Sequence, residues 1–151
     1  MPKGLILMRW DERAGIDVIT TYPKGLEHNQ MCLLQVYSQH EYSGKAGTIS
    51  LTVGEDNLVS YYSGPLMGYY VLLMLNQEED PDDYESILID SSQEILRNLK
   101  DEKYEKILPE KYQLIQAYTQ FAGEQLLGHL YQEEARRKLL HRLREECMGD
   151  E

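Results

Sequence analysis

The sequence is poor in the residues that announce a chemistry. Among 151 residues there are 2 cysteines, 5 prolines, 1 phenylalanine and 1 tryptophan. Cys32 and Cys147 lack any CxxC spacing, which excludes a disulfide framework and fits a reduced, intracellular setting. Basic side chains are scarce, 15 against 26 acidic ones, and the formal net charge is −11. That balance speaks against nucleic acid and against anionic membranes, both of which call for clustered Lys and Arg. Long apolar runs are missing too. The longest is Tyr69 to Leu75, far below the roughly 20 residues that span a bilayer. Only Leu5 to Met8 separate the start from Arg9, which predicts no signal peptide. Gly4 and the final residues predict no lipid attachment. The expectation is a cytoplasmic protein that reaches membranes, if at all, through a partner.

What is present reads as one domain able to bury roughly 70% of its unfolded surface. Leu5–Trp10 and Ile16–Tyr22 flank the polar turn Asp11–Gly15 and predict a β-hairpin. Leu26 to His40 predicts a helix, with Met31, Leu34 and the pair Leu33/Tyr37 at three- and four-residue spacing. Thr48–Val53 alternates cleanly, with Ile49, Leu51 and Val53 inward. Gly54–Asn57 is a turn composition, and Leu58–Ser63 and Tyr69–Leu75 complete a predicted antiparallel meander. The all-apolar last strand suits a central position. Asp80-Pro81 then supplies an N-cap and a proline at N1 for a helix to about Leu99. Lys100–Lys106 reads as a charged connection and Pro109 as a fresh boundary. From Glu110 to about Cys147 a helical stripe continues, about 55 Å long if unbroken, with Gly123 and Gly128 as places to bend. The prediction is an α+β fold, a five-stranded antiparallel sheet flanked by helices in the order β-β-α-β-β-β-α-α. Residues 1–131 form the domain and 132–151 a helical extension.

Motifs for catalysis or metal binding fall short. Ser43-Gly44-Lys45-Ala46-Gly47-Thr48 resembles the end of a phosphate-binding loop, but Gln39 stands where its first glycine belongs and a strand follows instead of a helix. His28 and Cys32 would share a helix face without a nearby third ligand, so no metal site is expected. Glu78 to Asp83 lacks the calcium-loop pattern. No GxSxG occurs, and Cys32 sits in apolar, acidic surroundings that oppose a thiolate. The reading is therefore non-enzymatic, without cofactor or metal.

Two features point to contacts with other proteins. Tyrosine is abundant, 12 residues, and Tyr37, Tyr42, Tyr61, Tyr62, Tyr69 and Tyr70 cluster mid-sequence. Tyrosine supplies large contact area with a polar tip, at interfaces or at half-covered sheet edges. Leu126, Leu127, Leu130, Leu139, Leu140 and Leu143 are interleaved with Arg136, Arg137, Lys138, Arg142 and Arg144. Such an amphipathic stretch fits a partner groove or coiled coil, or a last helix packed on its own sheet. Residues 1–132 hold 20 acidic and 10 basic side chains and the remaining 19 residues hold 6 and 5, so the negative charge belongs to the domain.

The element order resembles the longin domain. The wording Lys3-Gly4-Leu5-Ile6-Leu7-Met8-Arg9-Trp10 with Gly15-Ile16-Asp17-Val18, and Leu33-Leu34-Gln35-Val36-Tyr37-Ser38-Gln39-His40-Glu41, looks like the longin-like proteins of archaea related to eukaryotes. The related roadblock fold begins with a helix, whereas a strand begins here. The resemblance implies a non-catalytic module of membrane-trafficking or GTPase-regulating systems that binds partners, or dimerises, by its sheet edge and first helix. Carried over by position, that surface is the exposed part of Asn29 to Tyr37 with the strand Thr48 to Val53; its candidate residues are Leu33, Val36, Tyr37, Ile49 and Leu51, joined by Leu139 and Leu143 of the tail. The implied partner is a small GTPase, a second longin or roadblock-type subunit, or a second copy. No fusion motif or membrane anchor follows the domain, which favours an adaptor or regulator over a fusion protein. A small-ligand sensor on the same profilin-like fold and a tail-mediated structural oligomer are the alternatives.

Overall fold

The computed structural model describes residues 1–101 and 103–127, with side chains as far as Tyr118. The chain divides into two compact units, Met1–Ala117 and Tyr118–Glu151. Strands β1 (Gly4–Asp11) and β2 (Gly15–Tyr22) precede helix α1 (Gln30–Ser43). Strands β3 (Gly47–Val53), β4 (Asp56–Tyr62) and β5 (Tyr69–Leu75) follow. A 3₁₀ turn over Pro81–Tyr84 leads into α2 (Glu85–Arg97), and α3 spans Tyr104–Leu127. The strands form one antiparallel sheet in the order β2-β1-β5-β4-β3. This is the expected α+β architecture with the expected element order.

The period-2 alternation of the strands sorts apolar side chains to the two faces of the sheet. Leu5, Leu7, Val59, Val71 and Leu73 point to one face, where Leu88 and Ile95 of α2 and Leu108 and Ile115 of α3 close over them. Ile6, Met8, Leu58, Tyr70 and Leu72 point to the other, under Cys32, Leu33 and Val36 of α1. β5, central and covered twice, buries every residue from Tyr70 to Leu75, which is why its sequence does not alternate. Each fully buried aliphatic side chain contributes roughly 1.5–3 kcal/mol relative to exposure. The β1–β2 ladder slips between Leu7 (opposite Thr20) and Met8 (opposite Val18). The extra residue, Ile19, forms a bulge. It lets Ile16 and Val18 join the α1 side while Ile19 and Tyr22 pack on the other.

The helix boundaries depart from the sequence reading in two places. The helix expected from Leu26 begins at Gln30, because Asn29 caps it: its side chain accepts from the Met31 amide at 2.9 Å. An Asn side chain bonded in this way fixes the entry of the chain. Residues 23–28 turn back before it, with the Leu26 amide donating to the Pro23 carbonyl. Pro109, expected as a boundary, lies inside α3. Its neighbour Leu108 is buried, and Ile107 packs on the same cluster. Burying both offsets the one hydrogen bond a proline removes. The connection before α3 is accordingly shorter than expected, and α3 remains helical through Gly123.

A polar knot joins β4, β5 and the entry to α2. Asn57, almost fully buried, donates through Nδ2 to the Asn76 carbonyl at 2.9 Å and to the Glu79 carbonyl at 2.7 Å. Its Oδ1 accepts from the Thr52 hydroxyl at 3.2 Å. Glu79 in turn accepts from the Asn76 amide at 2.9 Å and from the Tyr84 hydroxyl. These bonds pin the turn that sends the chain from the sheet onto its far face. Among the described residues no helix is long and apolar enough to cross a membrane.

Candidate functional site

Among the described residues the one cysteine, Cys32, and one of the two histidines, His40, are buried. Cys32 is buried under α1, and burial, with Asp56 adding to it, pushes its thiol up to about 11. His40 is buried at the far end of the same helix. Its Nε2 shares a hydrogen bond with the Ser60 hydroxyl at 3.0 Å, and its ring lies 5.5 Å from those of Tyr62 and Tyr70. Burial pulls its pKa down to about 4, so the ring is neutral. Burial also raises the Tyr70 phenol, next to Tyr62 and Glu41. A buried thiol and a buried neutral imidazole, each enclosed by core side chains, offer neither nucleophile nor base to a substrate.

His28, expected on one helix face with Cys32, precedes the Asn29 cap, and its Nδ1 contacts the Leu26 carbonyl at 3.1 Å. The two do not share a helix. Among the described residues no three His, Cys, Asp or Glu side chains converge as a metal site. A groove of about 1030 Å³ opens between residues 26–29 and 53–56. Glu27, Glu55 and Asp56 line it together with Lys3 and His28. It is wide, open to solvent and of mixed sign, with no convergent cradle for one ligand.

The outside of α1 is different. The helix carries two apolar stripes. Cys32, Leu33, Val36 and His40 face the sheet. Met31 (63% exposed) and Leu34 (37%) face solvent, as does Tyr42 (95%), the penultimate residue of the helix. The outward stripe is flanked by Gln30, Gln35, Ser38 and Gln39, all exposed and uncharged. The helix packs over β3 and β4. β3 is an edge strand: one side of it is bonded to β4, and among the described residues the other has no strand beside it. The apolar helix face and the open strand edge therefore adjoin.

The residues singled out from the sequence fall beneath this surface rather than on it. Leu33 and Val36 are wholly buried, so they hold α1 on the sheet and present nothing to a partner. This corrects the expectation for those two positions. The apolar pattern of the helix is nearly as strong on one side as on the other, and spacing alone does not say which stripe faces the sheet. Ile49 and Leu51 are half-buried on the α1 side of β3. Tyr37 is half-buried, stacked on Trp10 at 4.0 Å and 11° and edge-on to Tyr70 at 6.1 Å. These three border the surface. Leu139 and Leu143, with the whole extension 132–151, lie outside the described residues. Met31 and Leu34, named from the sequence only for the apolar spacing of the helix, are the large apolar side chains exposed within Asn29 to Tyr37. Neither a scan against protein-family models nor a search of curated proteins finds a match.

Proposed function

We propose that this chain is a longin-like protein-interaction module, acting without catalysis as an adaptor or regulator of a small GTPase in a trafficking-like system. The observation that carries the reading is the outer face of α1, with Met31 and Leu34 exposed beside the unpaired edge of β3. An edge strand offers main-chain donors and acceptors to another chain, and an adjoining apolar helix face supplies contact area. The antiparallel order β2-β1-β5-β4-β3, with one helix on one face and two on the other, suits the longin-like reading. The burial of Cys32 and His40 supports a non-catalytic role. The partner is a small GTPase, a second subunit of the same kind or a second copy. The setting is the cytoplasm, where that partner can bring the chain to membranes.

The small-ligand sensor reading expects a closed pocket between sheet and helices. Leu5, Leu7, Leu33, Leu58, Leu72 and Leu73 instead fill both interlayer spaces at zero exposure, which argues against it. Nucleotide exchange and hydrolysis by small GTPases of the source cell, measured with and without the full chain, test the regulatory role. The reading expects at least one GTPase to co-elute with the chain and to change its exchange or hydrolysis rate. Unchanged rates together with no co-elution overturn the GTPase assignment.

A further inference from the structure

The antiparallel sheet brings the connections of the chain to two opposite ends, and their charges differ. At one end lie residues 1–3, 23–29, 54–55 and 76–84, with 2 basic and 7 acidic side chains. At the other, among the described residues, lie 11–14, 41–46, 63–68, 98–101 and 103, with 4 basic side chains (Arg13, Lys45, Lys100, Lys103) and 4 acidic ones (Asp11, Glu12, Glu41, Asp101). The first end is strongly negative. The second balances, and the exposed Arg97 closing α2 tips it slightly positive.

The positive end also carries the most protruding apolar group in the domain. Between β4 and β5 the chain runs Ser63-Gly64-Pro65-Leu66-Met67-Gly68, with Leu66 at full exposure and Met67 half-exposed. The loop is not loose. The Ser63 amide donates to the Tyr69 carbonyl at 3.0 Å, the Tyr69 amide donates to the Ser63 hydroxyl at 2.9 Å, and the Gly68 amide donates to the Gly64 carbonyl at 2.9 Å. Gly64 (φ 96°) and Gly68 (φ 73°) supply the left-handed conformations that closing it requires. A hydrogen-bonded loop thus holds Pro65, Leu66 and Met67 out into water. Nearby, Ala46 lies against Gly64, placing the exposed Lys45 beside the loop base, and Arg97 shares a small groove with Met67.

From this arrangement we infer that the β4–β5 loop is an interfacial anchor, by which the domain docks directly on an anionic lipid surface with Leu66 and Met67 at the headgroup boundary. Apolar side chains foremost with Lys and Arg behind them is the order that a lipid interface favours. A convex tip would need a matching pocket in a protein partner, whereas lipid conforms to it. The net charge of −11 does not forbid this contact at physiological salt. The strands between the two ends are about 23 Å long for seven residues, whereas charges are screened within about 8 Å. A membrane touching the loop therefore meets the positive end, not the whole domain. The inference is independent of the α1–β3 reading, because the loop stands on a different part of the surface.

Co-sedimentation of the full chain with vesicles of phosphatidylcholine, with and without phosphatidylserine, tests it. The wild type should pellet with the serine-lipid vesicles, and the Leu66→Asp/Met67→Asp double variant should bind about tenfold or more weakly. Both residues are exposed, so circular dichroism should be unchanged, and Leu34→Asp on α1 should bind like the wild type. Binding should also be stronger near 0.15 M salt than near 0.01 M, where the screening length of about 30 Å lets the acidic end repel the membrane. An adhesion driven by basic residues alone, such as those of the tail, would weaken with salt throughout. No vesicle binding by the wild type overturns the inference and leaves the loop to a protein partner. Equal binding by the double variant overturns it as well.

Discussion

At the scale of single residues, the buried polar groups divide into those that are satisfied and those that are not. Asn57 uses its side chain to satisfy two main-chain carbonyls and the Thr52 hydroxyl. Ser91 and Ser92 on α2 are just as buried, and their hydroxyls have no hydrogen-bond partner. Removing a partner strands buried groups, whereas removing an unpartnered hydroxyl relieves a desolvation cost. Asn57→Ala should therefore lower unfolding free energy by about 1–3 kcal/mol, while Ser92→Ala should leave it unchanged or raise it by about 1 kcal/mol. Urea denaturation of the two variants checks the contrast. A costly Ser92→Ala would contradict the absence of a partner for its hydroxyl.

His40 makes a pH prediction of definite sign. Its folded-state pKa, about 4, lies below the ordinary 6.5 because burial disfavours the charged ring. Between these values the unfolded chain binds the proton more readily, so stability is full above pH 6.5 and is lost as pH falls toward 4. The shift corresponds to about 3 kcal/mol. His40→Gln should flatten this part of the pH–stability profile while lowering stability at neutral pH. A variant whose stability declines between pH 6.5 and 4 as steeply as the wild type would remove His40 as the cause. Ion pairs at the surface, such as Arg9 with Asp17, contribute far less.

At the scale of elements, the strands were the most legible part of the sequence. Alternation in Thr48–Val53 gave the existence of β3, and the unbroken apolar run in Tyr69–Leu75 gave both the existence and the central place of β5. Helix starts were less legible. The side chain of Asn29 and the burial of Leu108 decide where α1 begins and how α3 passes Pro109, and the first is a local bond and the second a long-range contact. The orientation of α1 was not legible at all. Leu33 and Leu34 are adjacent and identical in chemistry, yet one is fully buried and the other is 37% exposed. Leu33→Ala should cost about 2–5 kcal/mol, as for other buried leucines, whereas Leu34→Ala should stay within about 0.5 kcal/mol. Thermal or urea unfolding of both variants decides which stripe faces the sheet; equal costs would contradict the packing described for α1.

At the scale of the whole molecule, composition misleads by averaging. A net charge of −11 describes no particular surface, because the antiparallel strands gather an acidic excess at one end, while the charges at the other nearly balance. The aromatic-rich middle of the sequence is likewise split. Tyr62 and Tyr70 stack within the core, Tyr37 is half-covered by Trp10, and Tyr42 stands free. Only the last of these is available to a partner without rearrangement. What the sequence conveyed of the interaction surface was therefore its neighbourhood, α1 and β3, and not its residues, since exposure depends on which face the sheet claims.

The claim on which the functional account rests is that the outer face of α1, beside the open edge of β3, is where another protein binds. Light scattering coupled to gel filtration tests it most directly, using the full chain alone and mixed with nucleotide-loaded small GTPases of the source cell, in the wild type and in Leu34→Asp. The account predicts a complex, or a dimer of the chain, heavier than the 17.6 kDa monomer, and its loss in a Leu34→Asp variant that remains folded. A monomer mass in every mixture, or the same complex formed by Leu34→Asp, would contradict it.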